Sequence, residues 1–212
     1  MDIGSNLLKP TFSMTREESS DRQIVNAVLK GERNAFAQLM KQNERLVLHI
    51  VQQLIATPED RRDLYQDIFL KVYKNLSHFE FESKLSTWIA KIAYTSCYKK
   101  NAKKRPLLWE EWAVSKDDDD EGNIVESIAD FRFNKEEEPD ELLMNQEITI
   151  ILQKEVAALP SLQRTILTLF YQEEISLAEI AIVTQFPVNT IKSHLFRTRK
   201  YLKELLIERY KF

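Results

Sequence analysis

Apolar residues recur at helical spacing through the first half of this chain, from Asp21 to Arg105. The clearest stripe has apolar side chains every three or four positions; it consists of Leu46, Val47, Ile50, Val51 and Leu54. Such spacing places the residues on one side of a helix and predicts that this side is buried. The stretch TPED then ends the helix, because Pro58 and the acidic residues after it are typical of a new helix N-terminus.

The helix that begins near Pro58 is predicted to have one apolar side and one polar side. Its predicted buried side consists of Leu64, Tyr65, Ile68, Phe69, Val72, Tyr73 and Leu76. The opposite side carries Asp63, Gln66, Asp67, Leu70 and Lys74. Because Leu70 is apolar among charged neighbours, two interpretations stay open: a contact surface for another protein, or a solvated face that includes one leucine.

A third helix, at about 84–100, combines an apolar side with a basic, aromatic one. It is predicted to bury Leu85, Trp88, Ile89, Ile92 and Ala93. Its outward side is predicted to carry Thr87, Lys91, Tyr94, Thr95, Tyr98 and Lys99, and the basic stretch KKNAKKRP follows. Tyrosine rings among lysines suit an unpaired nucleic-acid strand, because rings stack on bases while ammonium groups hold the backbone. The preceding loop FEFESKLS could hold an extruded base, and Trp88 could serve either in the core or at this surface.

The second half, from about residue 142, is also predicted to be helical. Pro160 ends one helix and Ser161 begins the next. Ser176 and Glu179 form a capping-box pattern at the start of a further short helix. After the turn QFPV, the last helix is predicted to pack inward through Ile191, Leu195, Thr198 and Leu202.

The outward side of this last helix is basic, with no acidic residue between Asn189 and Lys203. A solvated helix usually mixes acidic and basic residues, since pairs four apart stabilise it, whereas a face of one sign is favourable opposite phosphates. The pattern predicts a helix-turn-helix whose second helix enters the major groove of DNA; the alternative is a solvated terminal helix. The residues expected near bases or backbone are Val188, Asn189, Thr190, Lys192, Ser193 and Arg197, and those expected at phosphates are Arg199 and Lys200.

Composition supports an all-α chain made of two small helical domains. Glycine occurs only three times in 212 residues, too rarely for the turns of a β-rich protein, and the six prolines fall between the periodic segments. Residues 107–141 contain fourteen acidic and three basic residues, so the parts on either side are mildly basic. This segment is predicted to be a solvated linker, or else an acidic arm that mimics nucleic acid or lies in a basic channel of a partner. Residues 1–20 are predicted to be a flexible tail.

Little in the sequence points to catalysis or to a cofactor. His49, His78 and His194 lack metal-ligand spacing, and neither a glycine-rich phosphate loop nor a G-x-S-x-G turn occurs. We therefore expect no metal, no cofactor and no enzymatic activity. Cys97 is the only cysteine, which fits a reducing cytoplasm. The sequence has no secretory signal pattern and no apolar run of about 18 residues, so no membrane insertion is expected.

Two stretches of the chain resemble the bacterial sigma factors of the sigma-70 family. The stretch DLYQDIFLKVYKNLSHFEFESKLSTWIAKIAY is similar to sigma region 2, and ALPSLQRTILTLFYQEEISLAEIAIVTQFPVNTIKSHLFRTRKYL is similar to region 4. The presence of only these two regions and a linker resembles the extracytoplasmic-function (ECF) group. The resemblance implies a region 2-like domain at 21–106, the linker at 107–141 and a region 4-like helix-turn-helix domain at 142–212.

The resemblance also implies a function: binding core RNA polymerase and directing it to promoter DNA, usually under control of an anti-sigma factor. It implies that the helix with DLYQDIF docks on the polymerase through Asp63, Gln66, Asp67, Leu70 and Lys74. It implies that the −10 element is captured as a single strand by Phe79, Phe81, Lys84, Ser86, Thr87, Trp88, Lys91, Tyr94, Thr95 and Tyr98. The last helix is then expected to read the −35 element as duplex.

Two features depart from the family pattern. Thr95 stands where the family often has asparagine, and the turn QFPV lacks the glycine often found there. Two other classes of protein remain open: a stand-alone helix-turn-helix regulator of duplex DNA, and a helical adaptor for an acidic partner. The absence of alternating strands in residues 21–105 weighs against the regulator, and the acid-free last helix weighs against the adaptor.

Overall fold

The computed structural model describes residues 16–104 and 139–210, and all regular structure in these ranges is helical. The helices of the first range are α1 (Arg16–Leu29), α2 (Ala35–Leu54), α3 (Pro58–Asn75), a 3-10 turn (Leu76–His78) and α4 (Leu85–Lys104). Those of the second are α5 (Pro139–Ala158), α6 (Ser161–Leu167), a π-helical turn (Thr168–Gln172), α7 (Leu177–Thr184) and α8 (Val188–Tyr210). The predicted all-α class is confirmed.

The predicted ends of the tail and of the linker differ slightly from the structure. Helix α1 begins at Arg16, inside the predicted tail of residues 1–20, and α5 begins at Pro139, inside the predicted linker of residues 107–141. The remainder of both predicted segments lies outside the described residues.

Helices α2, α3 and α4 pack together around the core of the first half. The predicted stripe of α2 is buried at Leu46, Val47, Ile50 and Val51, and Leu54 is half-buried. On α3, four of the seven residues predicted as core, Leu64, Ile68, Phe69 and Val72, are buried, as is Leu76 in the 3-10 turn. The prediction for Tyr73 is wrong, because its side chain is 55% exposed; its ring forms a T-shaped pair with that of Phe36, with centroids 5.0 Å apart.

Helix α4 is covered over more of its circumference than its apolar pattern predicts. Its N-terminus is capped by a residue far away in the sequence: the backbone N–H of Leu85 donates to the carboxylate of Asp21 at 2.8 Å. Leu85, Ile89 and Ala93 are buried as predicted, but Thr87 and Tyr94, predicted to face outward, are only 1% and 4% exposed. The reason is tertiary: α4 packs against α7 of the second half as well as against α2 and α3.

The helix boundaries of the second half follow the local signals. Pro160 separates α5 from α6, and the predicted capping box is confirmed: the Glu179 N–H donates to Ser176 Oγ at 3.3 Å, while the Ser176 N–H donates to Glu179 Oε2 at 3.1 Å. Helix α8 buries Ile191, Leu195 and Thr198, with Leu202 partly buried. The Ile191 N–H donates to the Pro187 carbonyl at 3.1 Å, so Pro187 directly precedes the first turn of α8.

The turn between α7 and α8 contains a residue in the left-handed region, where glycine is favoured. Gln185 has φ 63° and ψ 23°, a conformation that costs a residue with a Cβ about 1–2 kcal/mol.

We expect Gln185→Gly to raise the free energy of unfolding by about 0.5–1 kcal/mol in urea denaturation. The matched control is Gln52→Gly in the last turn of α2, which should instead lower it by up to about 1 kcal/mol. A lower free energy of unfolding for Gln185→Gly would contradict the claim that Gln185 is strained in the left-handed conformation.

The two halves of the described chain also pack against each other. Helix α6 contacts α2, and α7 contacts α4. Polar side chains span this junction: Arg164 donates to the Gln53 carbonyl at 2.7 Å, and Thr87 donates to Glu179 at 3.2 Å. The second half therefore lies directly beside the helix whose outward side was predicted to bind a nucleic-acid strand.

Candidate nucleic-acid interface

The N-terminal half of α8 presents a basic face. None of its eight predicted contact residues is buried: Asn189, Arg197 and Lys200 are exposed, while Val188, Thr190, Lys192, Ser193 and Arg199 are partly exposed. Arg197 lies along the helix, with Nε donating to the Ser193 carbonyl at 3.3 Å. Because α7 and α8 pack together, this face lies on the side of α8 opposite its buried residues Ile191, Leu195 and Thr198.

One buried residue of α8 was not singled out by the sequence pattern. His194 is only 8% exposed, and neither ring nitrogen has a hydrogen-bond partner within the described residues. Burial lowers the pKa of His194 from its ordinary value, and the positive charge of Arg197 lowers it further. The imidazole is therefore held neutral inside the helix-turn-helix.

We expect His194 to make stability fall as the pH drops. Its folded pKa lies below the unfolded value of 6.5, so the unfolded chain takes up the proton first. Its contribution is fully present above about pH 6.5 and is lost as the pH falls toward the folded pKa. Urea denaturation between about pH 7.5 and pH 5.5 should show a shallower pH dependence for His194→Leu than for the unmodified protein. Equal slopes would contradict this assignment.

A basic cleft runs between α3 and α4, with a volume of about 480 Å³. The residues that line it are Lys71, Asn75, His78, Trp88, Lys91, Ile92, Thr95, Ser96, Lys99 and Gln185. None of them is acidic, and Lys71 donates to Ser96 Oγ across the cleft at 2.9 Å. A positively charged groove with an aromatic wall suits a nucleic-acid strand, because the lysines attract the phosphate backbone and the ring can stack on a base.

Trp88, Lys91 and Thr95 are the cleft residues that belong to the set predicted for the single strand, and the ten residues of that set differ in exposure. Lys84 and Lys91 are exposed; Phe81, Ser86, Trp88, Thr95 and Tyr98 are partly exposed; Phe79, Thr87 and Tyr94 are buried. The prediction of an outward-facing side chain is therefore wrong for Thr87 and Tyr94, whereas Phe79 was assigned to this site by the resemblance alone. Sequence reasoning missed Lys71, Asn75 and His78, which lie at the end of α3 and in the 3-10 turn. The sequence signal that could have indicated them is a group of positive or polar side chains close before the helix predicted to bind the strand.

The loop before α4 holds an aromatic cluster. Phe79 is buried, and its ring lies 4.6 Å from that of Phe81 and 5.2 Å from that of Trp88, centroid to centroid. The Arg22 guanidinium lies 4.4 Å from the centre of the Phe81 ring. Phe81 has φ 59°, which is uncommon for a bulky residue. Phe79 thus supports Phe81 and Trp88 from below, and these two rings reach the surface.

The outward side of α3 forms a third surface. All five residues predicted to contact a protein, Asp63, Gln66, Asp67, Leu70 and Lys74, are exposed. Leu70 is 56% exposed, and Tyr73 adds a second exposed apolar side chain nearby on the same helix. An apolar pair rimmed by charged groups is typical of a protein contact.

Two titratable groups are buried in the core of the first half. Burial raises the pKa of the Cys97 thiol to about 12 and also raises that of Tyr94, so both stay protonated. Within residues 16–104 and 139–210, no group of three His, Cys, Asp or Glu side chains is placed to hold a metal ion. No helix in the described part of the chain is long and apolar enough to cross a membrane.

Each half of the chain matches a model of a known protein family. The model of sigma-70 region 2 matches residues 39–105, and that of sigma-70 region 4 matches residues 149–202. The ECF RNA polymerase sigma factor SigW of Bacillus subtilis is 27% identical over 187 residues, covering 87% of this chain and 96% of that protein. The RNA polymerase sigma-H factor of Pseudomonas aeruginosa is 28% identical, covering 91% of this chain and 96% of that protein.

Solved structures agree on the fold. CnrH in complex with the cytosolic domain of CnrY is similar with a TM-score of 0.56 and 18% identity, covering 88% of this chain and 97% of that one. The sigma factor RpoE in complex with the anti-sigma factor NepR from Bartonella quintana is similar with a TM-score of 0.55 and 22% identity, covering 82% of this chain and 97% of that one. With region 2 and region 4 matched in this order, and with relatives matched along nearly their whole length, the chain belongs to the sigma-70 family of RNA polymerase sigma factors, in the ECF group.

Proposed function

We propose that this sigma factor divides promoter recognition between its two basic surfaces and docks on core RNA polymerase through α3. The observation that carries the proposal is the difference between these surfaces. The cleft between α3 and α4 combines lysines with the Trp88 ring, whereas the face of α8 has lysines and arginines on a helix end. The first kind of surface suits an unpaired strand, and the second suits duplex DNA.

The −35 element would be read by α8. The N-terminal turn of the helix, with Asn189, Thr190 and Lys192, enters the major groove, where side chains reach base edges. Arg197 and Lys200 lie further along the helix and hold phosphates on the flanks of the groove. Lysine and arginine contacts to phosphate set the orientation of the helix, and the residues of its first turn supply the sequence preference.

The −10 element would be held as a melted strand by α4 and the loop before it. Unstacking a base costs a few kcal/mol, and each base stacked on an aromatic ring contributes about 1–3 kcal/mol. One or two bases captured by Phe81 and Trp88 therefore offset the cost of melting. Lys71, Lys91 and Lys99 hold the backbone of the strand. The protein makes no covalent bond itself and contributes binding energy to the open promoter.

The exposed face of α3 would contact the polymerase. Leu70 and Tyr73 supply apolar area, and Asp63, Asp67 and Lys74 supply charges at its rim. The protein then works in the cytoplasm, together with the polymerase. Because the similar structure of the sigma factor RpoE was solved with the anti-sigma factor NepR, we also propose an anti-sigma partner for this chain.

The test is transcription with purified components. The protein is added to core RNA polymerase from the same organism, with fragments of its genome as template, and transcript starts are mapped. Discrete start sites that require the protein are expected, and their aligned upstream sequences give the two promoter elements. Binding to duplex DNA without any polymerase-dependent initiation would overturn the proposal and favour a stand-alone regulator.

A further inference from the structure

Helix α1 contacts the loop that is proposed to capture bases, residues 79–84, which is called the capture loop below. Before the loop, α1 packs on the 3-10 turn. Within it, the guanidinium carbon of Arg22 lies 4.4 Å from the centre of the Phe81 ring. After it, the backbone N–H of Leu85 donates to Asp21 Oδ2 at 2.8 Å. One helix therefore holds this loop before, within and after its aromatic residues.

The position of α1 is itself fixed by the core of the first half. Ile24, Val25 and Val28 are buried, and the helix packs against α2 as well as against the 3-10 turn. Arg22 is exposed, so its side chain leaves a buried helix and reaches Phe81 over the surface. Side chains that start from a packed helix are placed more precisely than side chains on a loop. The contact between Arg22 and Phe81 is thus a fixed feature of this surface.

Phe81 has a backbone conformation that needs such support. Its φ of 59° lies in the left-handed region, which is uncommon for a bulky residue. Conformations of this kind persist where surrounding contacts determine them, and they cluster at sites that clamp ligands. The contacts here are the Phe79 ring, 4.6 Å away between centroids, and the Arg22 guanidinium. Arg22 therefore helps to hold Phe81 in the position from which its ring reaches the surface.

The chemistry of the Arg22 side chain fits a phosphate as well as an aromatic ring. A guanidinium over a ring is attracted by the electron density of the ring face. Its N–H donors form a planar fork that matches the oxygens of a phosphate group. These donors point outward from the edge of the guanidinium, so contact with a ring through its face leaves them available to a phosphate oxygen. An exposed arginine over a ring that captures a base is well placed for the backbone of the same strand.

We propose that Arg22 binds a backbone phosphate of the strand whose bases the capture loop receives, and that Asp21 positions this loop by capping α4. The nature of the strand rests on the proposed function. Helix α1 lies outside the residues matched by the sigma-70 region 2 model, and the sequence pattern singled out neither residue. Because phosphate contacts carry no sequence information, Arg22 contributes affinity for any single strand, and the choice of bases is left to the aromatic rings.

The salt dependence of strand binding tests the role of Arg22. A fluorescent, mixed-sequence single-stranded oligonucleotide is titrated with the full-length protein at several salt concentrations, with excess unlabelled duplex to occupy α8. Arg22→Ala should lower the affinity by about tenfold, as expected for the loss of a hydrogen bond to a charged group. The slope of log affinity against log salt should become shallower by about 0.7, because one phosphate contact to a single strand is lost. Arg22→Lys keeps the charge and should keep the slope.

The matched control is Arg33→Ala. Arg33 is exposed in the turn that leads from α1 to α2, so its replacement changes the net charge equally without touching the capture loop. Its affinity and salt slope should equal those of the unmodified protein. Both arginines are exposed, so both alanine variants should stay folded, and circular dichroism checks this. A salt slope of Arg22→Ala equal to that of Arg33→Ala would overturn the phosphate contact, even if the affinity falls.

Two substitutions of Asp21 test its positioning role. Asp21→Asn and Asp21→Ala remove the same charge, but only asparagine keeps an oxygen that can accept from the Leu85 N–H, and it caps helices about as well as aspartate. Asp21→Ala should therefore bind the strand several-fold more weakly than Asp21→Asn. Their salt slopes should be equal, because neither change removes a phosphate contact. Equal strand affinities in the two variants would overturn the positioning role.

The outcomes separate this inference from the proposed function. Failure to initiate transcription with core polymerase, together with the expected slope for Arg22→Ala, would remove the sigma mechanism and leave Arg22 as a strand contact. Polymerase-dependent initiation by a protein in which Arg22→Ala and Arg33→Ala bind the strand alike would remove the inference and leave promoter recognition intact.

Discussion

Replacing Lys192 and Arg197 together by alanine is expected to lower the affinity for a −35 duplex by about 100-fold or more, with little change in polymerase binding. Each side chain lies on the acid-free face of α8, and each lost base or phosphate contact costs about 1–3 kcal/mol. If both contact phosphates, the slope of log affinity against log salt should also become shallower by about two. Fluorescence anisotropy with a duplex from the mapped promoters, at several salt concentrations, measures both quantities.

The control for this pair is Lys203→Ala. Lys203 is exposed on the same helix but lies beyond the predicted contact residues, so its loss should change the affinity by no more than about twofold. A loss for Lys203→Ala as large as that for Arg197→Ala would show that only the overall charge of the helix matters. Equal losses of duplex and polymerase binding in the double variant would contradict the division of labour between α8 and α3.

Replacing Phe69 by alanine is expected to lower the free energy of unfolding by about 3–5 kcal/mol, a large share of the roughly 5–15 kcal/mol typical of a domain. Phe69 is 2% exposed on α3, and its ring meets that of Tyr65 edge to face at 5.0 Å. Because α2 and α4 both pack against α3, the cavity left behind cannot close without moving a helix. Urea denaturation followed by circular dichroism measures the change.

Tyr73→Ala is the matched comparison on the same helix. Periodicity assigned Tyr73 and Phe69 to the same core face, but the structure leaves Tyr73 mostly exposed with one edge contact to Phe36. Its removal should cost only about 0.5–1.5 kcal/mol. Comparable losses for Phe69→Ala and Tyr73→Ala would indicate that the two residues are buried alike, as the sequence pattern suggested.

The contrast between α8 and α4 explains where sequence reasoning succeeded. On α8, the inward residues Ile191, Leu195 and Thr198 follow from the spacing, because the helix has one packing side within its own half. On α4, the same reasoning misassigned Thr87 and Tyr94, because α4 packs against α2, α3 and α7 and Thr87 bonds to Glu179 of α7. Periodicity detects apolar stripes, and it cannot detect a contact made by a polar residue such as Thr87 with a distant carboxylate.

The sequence by itself determined the helical class, the order of the helices and the basic face of α8. Helix spacing, prolines and the Ser176–Glu179 cap act within a few residues, so they can be read along the chain. Only the tertiary structure decided that Tyr73 is exposed and that Lys71 and His78 line one cleft together with residues of α4. It also decided that Glu173 and Glu179 of the second half contact His49 and Thr87 of the first half. These features depend on which distant elements meet, and that depends on the packing of the whole chain.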